Sequence, residues 1–382
     1  MNQPPPAPPS KVARLPGPGG RVGEYELVAE LGRGGVGAVF EARHIETRDR
    51  VAIKILLPSV MGERNITARF DREIRVASSL ESPHTVRLHG WGVHGDSDRY
   101  LGLPWFSMEF LRGLALSDYL ERNGAMSVEE SLGVMVQILE SLTEAHERGI
   151  IHRDIKPHNI FLAAEPGVPC VVKVLDFGTA RAVSGAADET ELERLTATGM
   201  VAGTPQFMAP EQAEGQRDLT PAVDVYAAAC VWYQLLTGEP LYTGFTAYEV
   251  ALKHVTQAIP PMPASVTATP LGDLLHYNLA KNPGARHTDA RTFLGALRQA
   301  ASACQTPTHL TPIALPGLPV RELPLDATGS TTADASAGYQ APTAVPLPPG
   351  NPKPNGAVVI VVVLAAVAMA LAGVVAALLL LG

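Results

Sequence analysis

The sequence predicts an α+β protein with a small β-rich N-lobe, a larger α-rich C-lobe, a disordered linker and one transmembrane helix. Three observations lead there. Up to about residue 111 most segments alternate apolar and polar side chains, the strand period, whereas beyond it apolar residues recur at helical spacing. Eleven prolines fall between residues 305 and 356, a composition that extends the chain and offers no core. Ala357 to Leu381 then carries no charge, and this run is longer than the roughly 20 apolar residues that cross a hydrocarbon core.

The elements follow in order. Residues 1–24 read as a proline-rich disordered arm, with seven prolines in the first 20 positions. No charged stretch leads into an apolar one there, which excludes a secretory signal. Strands are expected at 24–31, 38–44 and 51–57, a helix at 69–80, and strands again at 85–94 and 99–111. Helices are expected near 128–147, 223–237, 247–256 and 271–280. The globular domain is therefore placed at 25–300, the linker at 301–356 and the span at 357–381. Only Gly382 follows the span in this sequence, which predicts a single-pass C-terminal tail anchor.

Charge and cysteine content exclude other classes. Thirty basic against 38 acidic residues give a net charge of -8, without the basic excess that nucleic-acid binding requires. Cys170, Cys230 and Cys304 are too few and too scattered for a disulfide framework and read as free thiols of a reducing compartment. His84, His89 and His94 are five apart, which is not the spacing of a helical metal pair.

Chemistry concentrates in a few motifs. Gly32-Arg33-Gly34-Gly35-Val36-Gly37-Ala38-Val39 is a glycine-rich turn of the kind that brings backbone N–H groups to phosphates. Alone it would also suit a dinucleotide fold, but that fold needs a helix directly after the glycines, and AVFEAR alternates like a strand. Lys54 in Val51-Ala52-Ile53-Lys54 places an ammonium inside an apolar strand, so it needs a partner, and Glu73 of the following helix is the natural one. Next come Ile151-His152-Arg153-Asp154-Ile155-Lys156-Pro157-His158-Asn159, a strand-like VVKVL, and Asp176-Phe177-Gly178. Gly203-Thr204-Pro205 and Ala209-Pro210-Glu211 close the series.

Taken together and in this order, these motifs resemble those of the eukaryotic-like (Hanks-type) serine/threonine protein kinases of bacterial type. The resemblance covers about residues 25–300 and implies the two-lobed protein kinase fold. It implies ATP and Mg²⁺ as cofactors, with Mn²⁺ able to substitute, and protein substrates that carry Ser/Thr hydroxyls. Asp154 would accept the proton of the substrate hydroxyl, Lys156 would contact the transferred phosphoryl group, and Asn159 and Asp176 would hold the metal. Lys54, paired with Glu73, would reach the phosphates. Gly32, Gly34, Gly37, Val39 and Ala52 would line the nucleotide site. Met108 would be the gatekeeper, and Glu109 to Leu111 the hinge that reads the adenine edge. Asp224 would brace the catalytic loop, and Glu211 would pair with Arg286. Thr196 and Thr198 resemble autophosphorylated threonines, with Arg153 as a phosphate partner.

Small residues Ala366, Ala370, Gly373 and Ala377 share one face of the predicted span. A homodimer through that face or through the kinase domain is a further expectation, with the domain on the cytoplasmic side of the inner membrane.

Overall fold

The computed structural model describes residues 15–33, 37–57, 66–95, 102–164, 170–177, 205–262 and 264–306, all within one compact unit. Gly34, Gly178, Thr204, the predicted phosphosites Thr196 and Thr198, and the predicted span 357–381 lie outside these residues. Among the described residues no helix is long and apolar enough to cross a membrane.

The first lobe is built on strands β1 (Arg21–Val22), β2 (Tyr25–Arg33), β3 (Gly37–His44), β4 (Arg50–Leu56), β5 (Leu88–His94) and β6 (Leu103–Glu109). They form one antiparallel sheet in the order β1-β2-β3-β4-β6-β5. Alternation puts Leu27, Phe40, Ile53, Ile55 and Trp105 into its core. Helix α1 (Ile66–Ala77) packs Phe70 and Ile74 against Leu56 and Phe106. Its stretch is three residues earlier than the sequence pattern suggested. Ser79 and Leu80 already bend back, through Ser79 N to Val76 O and Leu80 N to Ala77 O.

The arm reading needs correction at its end. Residues 21 and 22 pair with Glu26 and Tyr25, Gly19 N and Leu27 N complete the turn, and Leu15 packs on the lobe core. Proline density marked these residues as unstructured, but the edge of a twisted sheet offers partners to any chain that can reach it.

The second lobe is helical: α2 (Leu116–Asn123), α3 (Val128–Glu147), α4 (Pro210–Ala213), α5 (Ala222–Thr237), α6 (Ala247–Thr256), α7 (Ala264–Thr267), α8 (Pro270–Asn278) and α9 (Ala290–Ala303). Ser127 and Glu130 form a reciprocal capping box that starts α3, and Asp289 caps α9 by accepting from Thr292 N. Helix α5 is buried almost all round and runs through the centre of the lobe. Its Ala227-Ala228-Ala229 run is fully enclosed. Small side chains there let neighbouring elements approach closely, while Trp232 and Tyr226 fill the wider gaps.

Of the four helices that periodicity missed among the described residues, α4 and α7 are single turns and two are longer. Helix α2 buries Leu116, Tyr119 and Leu120, and α9 buries Phe293, Leu294, Leu297 and Ala301. Both carry helical spacing. Helix α9 runs to Ala303, so the globular domain extends past the expected boundary at 300. A second sheet, β7 (Gly113–Ala115), β8 (Ile160–Ala163) and β9 (Val171–Val174), sits on this lobe. The catalytic motifs flank its strands.

Candidate active site

Strand β8 follows the His152–Asn159 loop, and β9 leads directly into Asp176. The register Ile160↔Val174 therefore aligns the two motifs side by side. Leu175 completes the alignment: its N–H donates to Asn159 O at 2.8 Å, and its carbonyl accepts from His152 Nε2 at 2.8 Å. His152 Nδ1 in turn accepts from Asp154 N at 3.2 Å, so the ring is the neutral Nε2–H form. Its edge packs on Phe177, with centroids 4.6 Å apart. His152 is thus a scaffold for the loop.

Arg153 and Asp176 have φ of 66° and 58°, a left-handed region that non-glycine residues adopt only when their surroundings hold them there. For Arg153 the restraint is visible. The fully buried Asp224 on α5 accepts from His152 N and Arg153 N, both at 2.7 Å, and from His146 Nε2 of α3 at 2.9 Å. Asp224 braces the loop as anticipated. His146 was not anticipated: its Nδ1 accepts from Ala290 N at 3.1 Å, so it ties the aspartate to the start of α9.

Lys156 Nζ contacts both Asp154 carboxylate oxygens at 2.9 and 2.8 Å. Asn159 Nδ2 donates to Asp154 O at 2.8 Å and Asp154 Oδ2 at 2.9 Å. Both amide hydrogens are thereby used, which leaves Asn159 Oδ1 as the group for a ligand. Across from them Lys54 makes its ion pair with Asp176 Oδ2. The sequence paired Lys54 with Glu73, and the ion pair observed is with Asp176. Glu73 lies half-buried on α1 with a contact of its own.

The nucleotide-side residues also fall into place. Val39 pairs with Lys54 across β3–β4 and Ala52 with Met108 across β4–β6, so all four belong to one patch of sheet. Glu109 ends β6. Its carboxylate accepts from Arg87 N at 2.9 Å and from Lys173 Nζ of β9 at 2.7 Å, which fastens the hinge to the second lobe. Among the described residues the main chain of Leu111 makes no backbone hydrogen bond, so it is open to a ligand. A Cβ on Gly37 would lie 2.4 Å from Ile55 O, so this glycine is required by strand packing. A Cβ on Gly32 would meet nothing within 4 Å, so packing does not require that glycine.

Glu211 and Arg286 form the expected pair, buried and bidentate at 2.9 Å on both arms. Arg286 also donates to Ala280 O, Lys281 O and Ala222 O and lies over the Tyr226 ring. Nearby, burial and then the Lys281 charge push the His254 imidazole down to about 3. Burial pushes Lys281 itself down to about 8.

This arrangement of a loop aspartate, its lysine and asparagine, and a facing lysine–aspartate pair occurs here on a two-lobed frame. Residues 25–305 match the protein kinase domain family. The chain belongs to the protein kinase family. Among its relatives is drp72 of Corynebacterium efficiens, a serine/threonine-protein kinase 35% identical over 72% of this chain and 50% of its own length. Pkn3 of Myxococcus xanthus is 34% identical over 72% of the chain and 49% of its own length. PknA of Mycobacterium tuberculosis is 32% identical over 84% of the chain and 74% of its own length. The chain thus spans about half the length of several of these relatives. The kinase domain of Mycobacterium tuberculosis PknI has the same fold, with a TM-score of 0.58 at 24% identity over 75% of the chain and all of that domain. The expectation of a bacterial, Hanks-type serine/threonine kinase domain is met.

Proposed function

We propose that this kinase transfers the γ-phosphoryl group of ATP to serine or threonine hydroxyls of proteins, including its own, while tethered to the inner membrane. The observation that carries the reading is the cluster in which Lys156 and Asn159 both grip Asp154 beside the Lys54–Asp176 pair. Asp154 Oδ1 and Oδ2, oriented by these contacts, accept the proton of an incoming hydroxyl. Lys156 balances charge that develops on the transferred group. Lys54 and Asp176 hold opposite charges where a nucleotide's phosphates and a divalent cation would each find a partner.

The donor set fits Mg²⁺, or Mn²⁺ in its place, because Asp176 offers a carboxylate and Asn159 an amide oxygen, both hard ligands. When bound, the ion would bridge the phosphates and neutralise their charge. Val39, Ala52 and Met108 form an apolar bed for an adenine, and Glu109 to Leu111 supply its polar edge. Thr196 and Thr198 are the proposed autophosphorylation sites, with Arg153 as partner for an added phosphate. The 357–381 segment is the proposed anchor, with residues beyond the domain as its linker and a cytoplasmic kinase domain. Small residues along the anchor suit a homodimer.

Full-length protein with ATP, Mg²⁺ and a generic protein acceptor tests the reading. Phosphoserine and phosphothreonine should appear on the acceptor, and mass spectrometry should find phosphate on Thr196 and Thr198. No transfer, or phosphotyrosine alone, overturns the activity. Transfer with both threonines unmodified overturns the autophosphorylation sites.

A further inference from the structure

Gln212, the residue after the Ala209-Pro210-Glu211 motif, is buried and spends both ends of its amide. Its Oε1 accepts from Ala209 N at 3.1 Å, which caps the first turn of α4. Its Nε2 donates to Arg153 O at 3.1 Å. The second contact has no role in helix capping, since it reaches 59 residues back along the chain to the carbonyl that joins Arg153 to Asp154.

That peptide is the one most in need of restraint. Arg153 has φ of 66°, and Asp224 Oδ1 fixes only its N–H. Gln212 fixes the other side of the same residue, at the carbonyl whose peptide plane sets the direction in which Asp154 leaves the main chain. We propose that Gln212 is a positioning residue for Asp154, coupling the segment that runs through Ala209 to the orientation of the catalytic loop. The bland alternative is a helix cap and nothing more. The two differ by one hydrogen bond. A Glu at this position caps as well as a Gln, because the capped N–H needs only an acceptor. A carboxylate has no N–H for Arg153 O, however, and it sets oxygen against oxygen.

The inference rests on Asp154 as the reacting base, so the experiment carries Asp154→Asn as a separate arm. Full-length wild type, Gln212→Glu, Gln212→Met and Asp154→Asn are compared for kcat, KM for ATP and melting midpoint. Gln212→Glu should keep KM for ATP near wild type and lose kcat by about tenfold at a temperature below its own melting midpoint, as one misplaced hydrogen bond at the reacting group allows. Wild-type kcat in Gln212→Glu, with Asp154→Asn inactive, overturns the inference and leaves a simple cap. Wild-type kcat in Asp154→Asn instead overturns the site assignment itself. Should Gln212→Glu fail to fold, Gln212→Met, similar in volume and without either hydrogen bond, decides. Lost kcat with retained KM upholds the positioning role, and unchanged kcat rejects it.

Discussion

Arg153 and Asp176 sit in a left-handed backbone region, and for Arg153 the surrounding residues explain how it stays there. Asp224 receives three donors while fully buried. Asp224→Asn keeps the shape but turns an N–H₂ toward backbone N–H groups. It is expected to lower kcat by at least about tenfold and stability by about 1–3 kcal/mol, the cost of buried donors left unpaired. Turnover with urea unfolding measures both, and wild-type values for the two would refute the bracing role. Asp154→Asn and Lys54→Ala belong to the same scale. The first removes the group that takes the hydroxyl proton, and the second removes the cation facing Asp176. Each is expected to abolish phosphoryl transfer while circular dichroism stays near wild type, and turnover like wild type in either would count against the assigned chemistry.

At the scale of elements, Glu211 of α4 is joined to Arg286 in the connection between α8 and α9, and both side chains are almost wholly buried. A buried pair adds little net stability against an apolar alternative, but removing one partner strands the other charge. Glu211→Ala is therefore expected to cost about 3–5 kcal/mol in denaturant unfolding, and a loss below about 1 kcal/mol would contradict the burial. Helix α6 carries a pH dependence. His254 accepts from Tyr226 OH at 2.9 Å and is held near 3 by burial and by Lys281. The unfolded chain binds this proton below about 6.5, whereas the fold resists it until about 3. Falling pH thus favours the unfolded state. The contribution is complete above pH 6.5 and is lost progressively toward pH 3. His254→Gln should flatten the fall of stability between pH 7 and pH 5, read from urea midpoints, and parallel curves for the two proteins would refute it.

For the whole molecule, no catalytic motif lies beyond residue 300. Deleting 357–381, the proposed anchor, is expected to move the protein from the membrane to the soluble fraction with intrinsic turnover within about twofold, because the proline-rich composition before it predicts a linker that transmits no strain to the domain. Recovery of the intact chain in the soluble fraction would refute the anchor. A loss of turnover on deletion would instead give the tail a role in catalysis.

The sequence by itself determined the lobe order, most of the strands and long helices, and every residue of the Asp154 cluster. These signals are local: alternation, helical spacing, and short motifs whose members meet within a turn or a loop. It determined the Glu211–Arg286 pair only through resemblance, since nothing local links positions 75 apart. Only the tertiary structure revealed the ion pair of Lys54 with Asp176, two residues 122 apart that no local signal links. It also added His146 and Gln212, an ordinary helix histidine and a helix-start glutamine in the sequence. Their second hydrogen bonds run to Asp224 and Arg153, contacts that come into being when distant segments pack and that no periodicity records.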